Sequence, residues 1–334
     1  MRKIFGLLVV AAAAVSLSGC VSSVLDVSQK PIQPIPAKLV ADMRAKGMTP
    51  SSPVLVRIFK QESELEIWKR NASGRYALLK TYPMCRWSGK LGPKMQAGDR
   101  QAPEGFYHVS ANMLNPNSQY YLSFNLGFPN RLESALGYTG EALMVHGACS
   151  SSGCYAMTDE GVAEIYAVAR DALKGGQTAF QVQAFPFRMT AANMARNRND
   201  PSFTFWSDLK RGYDSFEVTR RQPKVSACGG RYVFDTEFEG GEPTDPLAAC
   251  PPAISQANPE VAARWEKDSR AMEAAVASGT ALMTYAYSDG GMHKSFRSVL
   301  QKNGAKTFSK KTSHTSVPVS RPDAALADPY KPAK

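Results

Sequence analysis

The sequence predicts an α+β fold, mainly β with helices, in which a mixed-sheet domain is followed by an α-rich C-terminal extension. Three observations predict it. Short β-branched and apolar runs recur from Pro53 onward with polar turns between them, one amphipathic helix follows a small-residue loop after residue 154, and a long helical stretch comes late, near residue 259. Runs of four to eight such residues between turn signals read as strands, and apolar positions at 3–4-residue spacing read as a helix.

Residues 38–47 read as a short helix. Val54–Phe59 is β-branched and apolar, Leu65–Trp68 alternates, and Tyr76–Tyr82 follows a Ser73-Gly74 turn. Their close spacing suggests antiparallel hairpins. A Gly/Pro-rich loop spans Ser88–Lys94. Phe106–Val109, Tyr120–Leu126, Leu143–His146 and Phe180–Phe185 are further strand candidates. Thr158 suits a helix N-cap, with Asp159 and Glu160 in the first turn, where the helix dipole favours acids. Val162, Ile165, Tyr166, Ala169 and Leu173 then repeat at helical spacing, and Gly175-Gly176 ends the helix. Two more helices are expected, over Thr204–Arg211 and Pro259–Ala277. From about Ser309 the chain is rich in Ser, Thr, Pro, Lys and Ala and is expected to be disordered.

The N-terminus reads as a targeting segment. Arg2 and Lys3 precede an apolar run, Ile4–Leu17, that is shorter than the roughly 20 residues of a membrane span. It ends in Leu17-Ser18-Gly19-Cys20, which resembles a bacterial lipobox, with Cys20 acylated as the mature N-terminus. The expectation is export across the inner membrane and a periplasmic protein, lipid-anchored to the outer membrane and touching the bilayer through that anchor alone. The formal net charge of +11 would suit nucleic acid, an anionic membrane or an anionic polymer. Export argues against nucleic acid. Beyond the lipidated Cys20, five cysteines remain, Cys85, Cys149, Cys154, Cys228 and Cys250, and an odd count in an oxidising compartment leaves at least one thiol unpaired.

The chemistry is concentrated in residues 144–157, Met-Val-His-Gly-Ala-Cys-Ser-Ser-Ser-Gly-Cys-Tyr-Ala-Met. A strand ends at His146, a small-residue loop follows, and Cys154 stands shortly before a helix. A helix N-terminus favours thiolate, the nucleophilic form, and an imidazole within reach would accept the thiol proton. The flexible Gly153 would let its own N–H and that of Cys154 meet a substrate oxyanion.

These residues carry a resemblance. His146-Gly147 with Ser152-Gly153-Cys154 resembles the signature of the YkuD-type L,D-transpeptidases, more closely their YafK-like branch. Leu91–Lys94, Pro103–Tyr107, Asn115–Ser118, Ser123–Asn130 and Phe185–Met189 resemble that branch in the same order, covering about residues 50–220. The resemblance implies a YkuD-like mixed-sheet catalytic domain. It implies Cys154 as nucleophile on an amide of a diaminopimelate-containing peptidoglycan stem peptide, His146 as general base then acid, a carbonyl near Gly147 orienting the ring, and a thioester acyl-enzyme. An amine acceptor would then give a cross-link or wall attachment, and water would give hydrolysis. Peptidoglycan is the expected partner, with a wall-attached outer-membrane protein or lipoprotein as a further one. Ser152 stands where a His is common in the family and Ala156-Met157 where an Arg or Asn is, so no carboxylate-binding residue is assigned.

Cys149 is a rival nucleophile, but a disulfide with Cys85 is expected, and another joining Cys228 to Cys250, which leaves Cys154 free. No Cys/His spacing argues for a metal, and no cofactor is expected. Lys94 and Arg188 read as solvated charges. The expected organisation is a signal peptide at 1–19, a lipid-anchored linker at 20–50, the catalytic domain at 51–220, an extension at 221–308 and a disordered basic tail at 309–334. The competing readings are a catalytically silent, lipid-anchored wall-binding module and an envelope lipoprotein whose Cys149 and Cys154 pair with each other.

Overall fold

The computed structural model describes residues 29–283 and 287–326. The expected signal peptide and the lipidated Cys20 lie outside the described residues, as do 327–334 of the tail. Among the described residues no helix is long and apolar enough to cross a membrane.

The chain runs α1 (Ala37–Ala45), β1 (Val54–Phe59), β2 (Glu64–Arg70), β3 (Tyr76–Pro83), β4 (Arg86–Trp87), β5 (Gly105–Ser110), β6 (Leu114–Asn115), β7 (Ser123–Asn125), α2 (Arg131–Ala135), β8 (Met144–His146), β9 (Tyr155–Ala156), α3 (Asp159–Lys174) and β10 (Ala179–Phe185). It continues through α4 (Ala191–Arg196), α5 (Phe203–Thr219), β11 (Val225–Cys228), β12 (Arg231–Phe234), α6 (Pro259–Ala277), α7 (Lys294–Thr312) and α8 (Pro322–Ala325). Two five-stranded sheets form, in the orders β3-β2-β1-β10-β5 and β4-β9-β8-β7-β6, beside a β11–β12 hairpin.

The expected hairpins are there: β1, β2 and β3 pair antiparallel. Each sheet also holds one parallel pair, β1 with β10 and β8 with β9, which local periodicity could not reveal. Successive side chains of a strand face opposite sides of a sheet. In β1, Val54, Val56 and Ile58 therefore join the core shared by both sheets and α3, while Phe59 joins the cluster around α5 on the other side. Val162, Ile165, Tyr166 and Ala169 bury the inner face of α3, and Thr158 Oγ1 caps it by accepting from Gly161 N at 3.0 Å.

Two expectations need correction. The second predicted helix is longer: α5 continues through Gly212, where an added Cβ would lie 2.5 Å from the rings of Phe106 and Phe234. Glycine is kept there for close packing and does not end the helix. The tail is not disordered through residue 326. Helix α7 interrupts at Gly304 (φ 71°) and resumes, and Leu300, Phe308, Val319 and Ala325 are buried around the Cys85–Cys149 disulfide. Four apolar anchors spread over 26 residues are too sparse to stand out as a period, yet they suffice to bind the segment. Helix α6 is attached differently. It buries no residue, and ion pairs hold it to α5 through Lys210–Asp268 at 2.7 Å and Arg264–Asp214 at 2.8 Å.

Candidate active site

The site is built on the parallel pair β8–β9. Val145 faces Tyr155 and His146 faces Ala156, so the next register position sets Cys154 against Met144, two residues before His146 and on the same face. Parallel neighbours ordinarily need a crossover of a dozen residues or more. Here residues 147–154 suffice, and the turn forces Ala148 (φ 62°), Cys149 (φ 28°) and Gly153 (φ 123°) into the left-handed region. Ala142 (φ 55°) and Tyr121 (φ 73°) are strained nearby. Such strain persists only where surrounding contacts over-determine the backbone, and it gathers at functional sites.

Several contacts hold the crossover. A disulfide joins Cys149 to Cys85, a second joins Cys228 to Cys250, and Cys154 is the free cysteine among the described residues. This removes Cys149 as a rival nucleophile and sets aside a Cys149–Cys154 bond. Ala148 N donates to the buried carboxylate of Asp159 at 2.8 Å. Gly147 N donates to Tyr120 O at 3.0 Å, and the Tyr120 ring covers the imidazole of His146 with centroids 4.6 Å apart.

His146 is buried, and its Nδ1 lies 2.5 Å from Gly147 O. A carbonyl only accepts, so Nδ1 carries the proton and Nε2 is left as the basic nitrogen. Burial lowers the pKa of the ring to about 4, against the opposing pull of the Gly147 carbonyl. Cys154 is half-buried. Its Sγ accepts from Met144 N at 3.4 Å and faces Ala142 O at 3.7 Å. Burial pushes the thiol up, partly offset by the Met144 N–H and the charge of Lys94. At neutral pH the two groups therefore rest as thiol and neutral imidazole.

That result corrects two expectations. The helix N-terminus does not supply a thiolate, because β9 separates Cys154 from α3, whose start is occupied by the Thr158 cap and the Asp159 carboxylate. Nor is Gly153 N–H free for an oxyanion: it donates to Ser88 Oγ at 2.6 Å, while Cys154 N–H donates to Ser151 Oγ at 3.1 Å. Both donors are tied down by hydroxyls in the resting site.

Lys94 and Arg188 are not solvated charges either. Lys94 is buried against Asp99 at 2.5 Å, and Arg188 bridges Glu64 and Glu66. Three residues that hold the crossover or cover His146 carry no mark in the sequence: Tyr120, Ser88 and Arg100. Arg100 donates to Ser152 Oγ at 2.7 Å and Ser151 O at 3.1 Å and pairs with Asp289 at 2.9 Å. No pattern marks these residues, since each reaches the site from a distant loop. A cavity of about 770 Å³ lies away from the thiol, between the 90–101 loop, α2 and α5. Gln101 belongs to both places, because it lines that cavity and its carbonyl would lie 3.6 Å from a Cβ on Gly153.

No family model matches the chain. Over 182 residues it is 50% identical to the protein named "Putative L,D-transpeptidase YafK" of Escherichia coli K12, covering 54% of this chain and 74% of that protein, and the O157:H7 counterpart matches equally. Among solved structures it is similar to the helical cell shape determining protein Pgp2 of Campylobacter jejuni, with 16% identity, a TM-score of 0.32 and coverage of 56% of this chain and 79% of that one. It is likewise similar to Bd1075 of Bdellovibrio bacteriovorus, with 16% identity, a TM-score of 0.30 and coverage of 52% and 76%. Structural likeness at this level carries no functional argument.

Proposed function

The chain belongs to the L,D-transpeptidase family of YafK, and on that footing we propose that it is a cysteine enzyme acting on diaminopimelate-containing stem peptides of peptidoglycan through Cys154 and His146. The observation that carries this reading is a free thiol and an imidazole with a bare Nε2 flanking one strained eight-residue crossover.

The chemistry follows from the resting protonation states. Nε2 of His146 takes the Cys154 proton as Sγ bonds to the substrate carbonyl carbon. The carbon–nitrogen bond then breaks and the leaving amine takes that proton from the ring, leaving a thioester. Attack by a second amine restores an amide, whereas attack by water gives a carboxylate, and the thiol is regenerated in either case. A neutral pair suits this sequence, since the proton moves during attack and no standing charge must be kept in a buried site. The oxyanion needs donors, and those nearest, Gly153 N–H and Cys154 N–H, must turn from Ser88 and Ser151 when substrate binds. A lipid anchor at Cys20 would hold the enzyme beside the wall, within reach of wall-attached outer-membrane proteins or lipoproteins.

The test is muropeptide analysis of purified sacculi incubated with the protein or with Cys154→Ala. Changed muropeptides are expected with the first alone, and the same change from both would overturn the reading. New cross-links identify an amine acceptor, and release of wall-bound protein without them identifies water.

A further inference from the structure

We propose that residues 287–326 form a strap that fixes the 147–154 crossover and so positions the Cys154 thiol, with Ser313 and Ser320 as its positioning residues and Asp159 as the group on which Ser313 acts. The proposal rests on Cys154 being the working thiol.

The strap is fastened at three places. At its start, Tyr287 packs edge-on against Trp87 with centroids 5.0 Å apart, Gly291 pairs with Trp87, and His293 N donates to Met84 O at 3.0 Å. This anchors it beside β4, the neighbour of β9. In its middle, Leu300, Phe308 and Val319 cover the Cys85–Cys149 disulfide. At its end it contacts the crossover directly.

That end makes two kinds of contact, one on the backbone of the crossover and one on the Asp159 carboxylate that holds it. Ser320 Oγ accepts from Ser151 N at 2.9 Å and donates to Ser151 O at 3.0 Å, closing a reciprocal pair on the residue whose own hydroxyl holds Cys154 N–H. Ser313 Oγ at 3.1 Å and His314 N at 2.6 Å both donate to Asp159 Oδ2, while the other oxygen of the same carboxylate accepts from Ala148 N. Asp159 thus passes the position of the strap to Ala148, two residues after His146. Burial tends to raise the Asp159 carboxyl, and these three hydrogen bonds oppose that tendency. An eight-residue crossover with left-handed backbone at Ala148 and Cys149 has little intrinsic preference for this shape, so external contacts must set it.

Asp289 adds a third link. It accepts from Gly89 N at 3.0 Å and pairs with Arg100 at 2.9 Å, and Arg100 in turn donates to Ser151 O and Ser152 Oγ. The strap therefore grips the crossover directly through Ser320 and indirectly through Asp289 and Arg100.

The test uses the full chain and Ser320→Ala, Ser320→Thr and Ser313→Ala. Folding is checked by thermal unfolding and by the mass of both intact disulfides. Cys154 alkylation by iodoacetamide is followed across pH by peptide mass mapping, a readout that needs no substrate. Loosening relieves the burial that holds the thiol up, so the alkylation midpoint in folded Ser320→Ala should fall by about half a pH unit or more. Ser320→Thr, which keeps the hydroxyl, should restore it, and Ser313→Ala should shift it in the same direction. Wall-peptide turnover should drop in kcat by roughly tenfold with KM little changed, because alignment and not binding is lost. An unchanged midpoint in folded Ser320→Ala overturns the strap. A wild-type protein that alkylates normally but never turns over wall peptides overturns the proposed function instead, and the midpoint comparison still decides the strap.

Discussion

His146 Nδ1 stands 2.5 Å from the carbonyl oxygen of Gly147, the next residue in the chain. The ring is thus oriented by backbone, where many cysteine enzymes use a carboxylate or amide side chain. A neutral carbonyl stabilises imidazolium less than a carboxylate would, and burial pushes the same way, lowering the ring to about 4.

The first prediction is a displaced acid limb. The base must be unprotonated, and a lowered pKa delays protonation, so kcat/KM should stay flat from pH 7 to about 5 and fall only near 4. The same shift works against the fold in acid: stability is full above the unfolded imidazole value and declines as pH falls through the window down to about 4. Circular dichroism at each pH separates the two effects. An acid midpoint near the ordinary histidine value would refute the buried, neutral base.

His146→Gln should keep the fold and lose turnover by about 10²–10⁴, the usual contribution of general acid–base catalysis. Cys154 should still alkylate, because its sulfur accepts from Met144 N and its S–H faces Ala142 O, neither of which the substitution touches. Steady-state rates beside iodoacetamide labelling check this, and undiminished turnover would remove His146 from the mechanism.

Gly147→Ala should damage both fold and site. An added Cβ would fall 2.5 Å from Asp159 Oδ1 and 2.8 Å from Tyr120 O, the groups that fix the crossover and carry the ring over His146. Overpacking of this kind costs about 1–3 kcal/mol. Denaturant unfolding measures the loss, and a variant as stable and active as the wild type would show that the crossover relaxes freely.

Much of this arrangement was legible in the sequence because it is local. The α3 face, its Thr158 cap and the strand ending at His146 follow from periodicity and capping chemistry within a dozen residues. What could not be read depends on partners far along the chain. The β1–β10 parallel pair spans more than 120 residues, Arg100 reaches the crossover from another loop, and Ser320 does so from the C-terminal segment. The thiolate expectation failed for a related reason. Proximity in sequence to a helix start suggested a positive field, but two strand residues and the Asp159 carboxylate intervene.

The two disulfides should differ in their contribution to stability. Cys85–Cys149 spans 64 residues and Cys228–Cys250 spans 22. In the chain-entropy account the longer loop stabilises more, here by about 1 kcal/mol. The longer one also closes on strained backbone at Cys149. Replacing each pair by alanines should therefore lower the unfolding free energy more for Cys85/Cys149, and an equal or reversed order in denaturant titrations would refute this.

The last prediction concerns the loop that bears Arg100. Lys60 and Glu104 are both fully buried and lie 2.8 Å apart. Lys60 Nζ also donates to Gly92 O at 3.2 Å and Ala102 O at 2.9 Å, while Glu104 accepts from Gly92 N and Trp206 Nε1, each at 2.8 Å. One ion pair thus clamps both ends of residues 92–104. Burial lowers the Lys60 pKa below its ordinary value, and the charge and hydrogen bond of Glu104 oppose that shift. Lys60→Met keeps the volume but strands a buried carboxylate, which costs about 3–5 kcal/mol. The loop should then release Arg100 from Ser151 and Ser152. Denaturant unfolding reads the first effect, and proteolytic nicking between residues 92 and 104 reads the second. A loss under about 1 kcal/mol with no new cleavage would mean that the clamp is dispensable and that the loop is held by its other contacts.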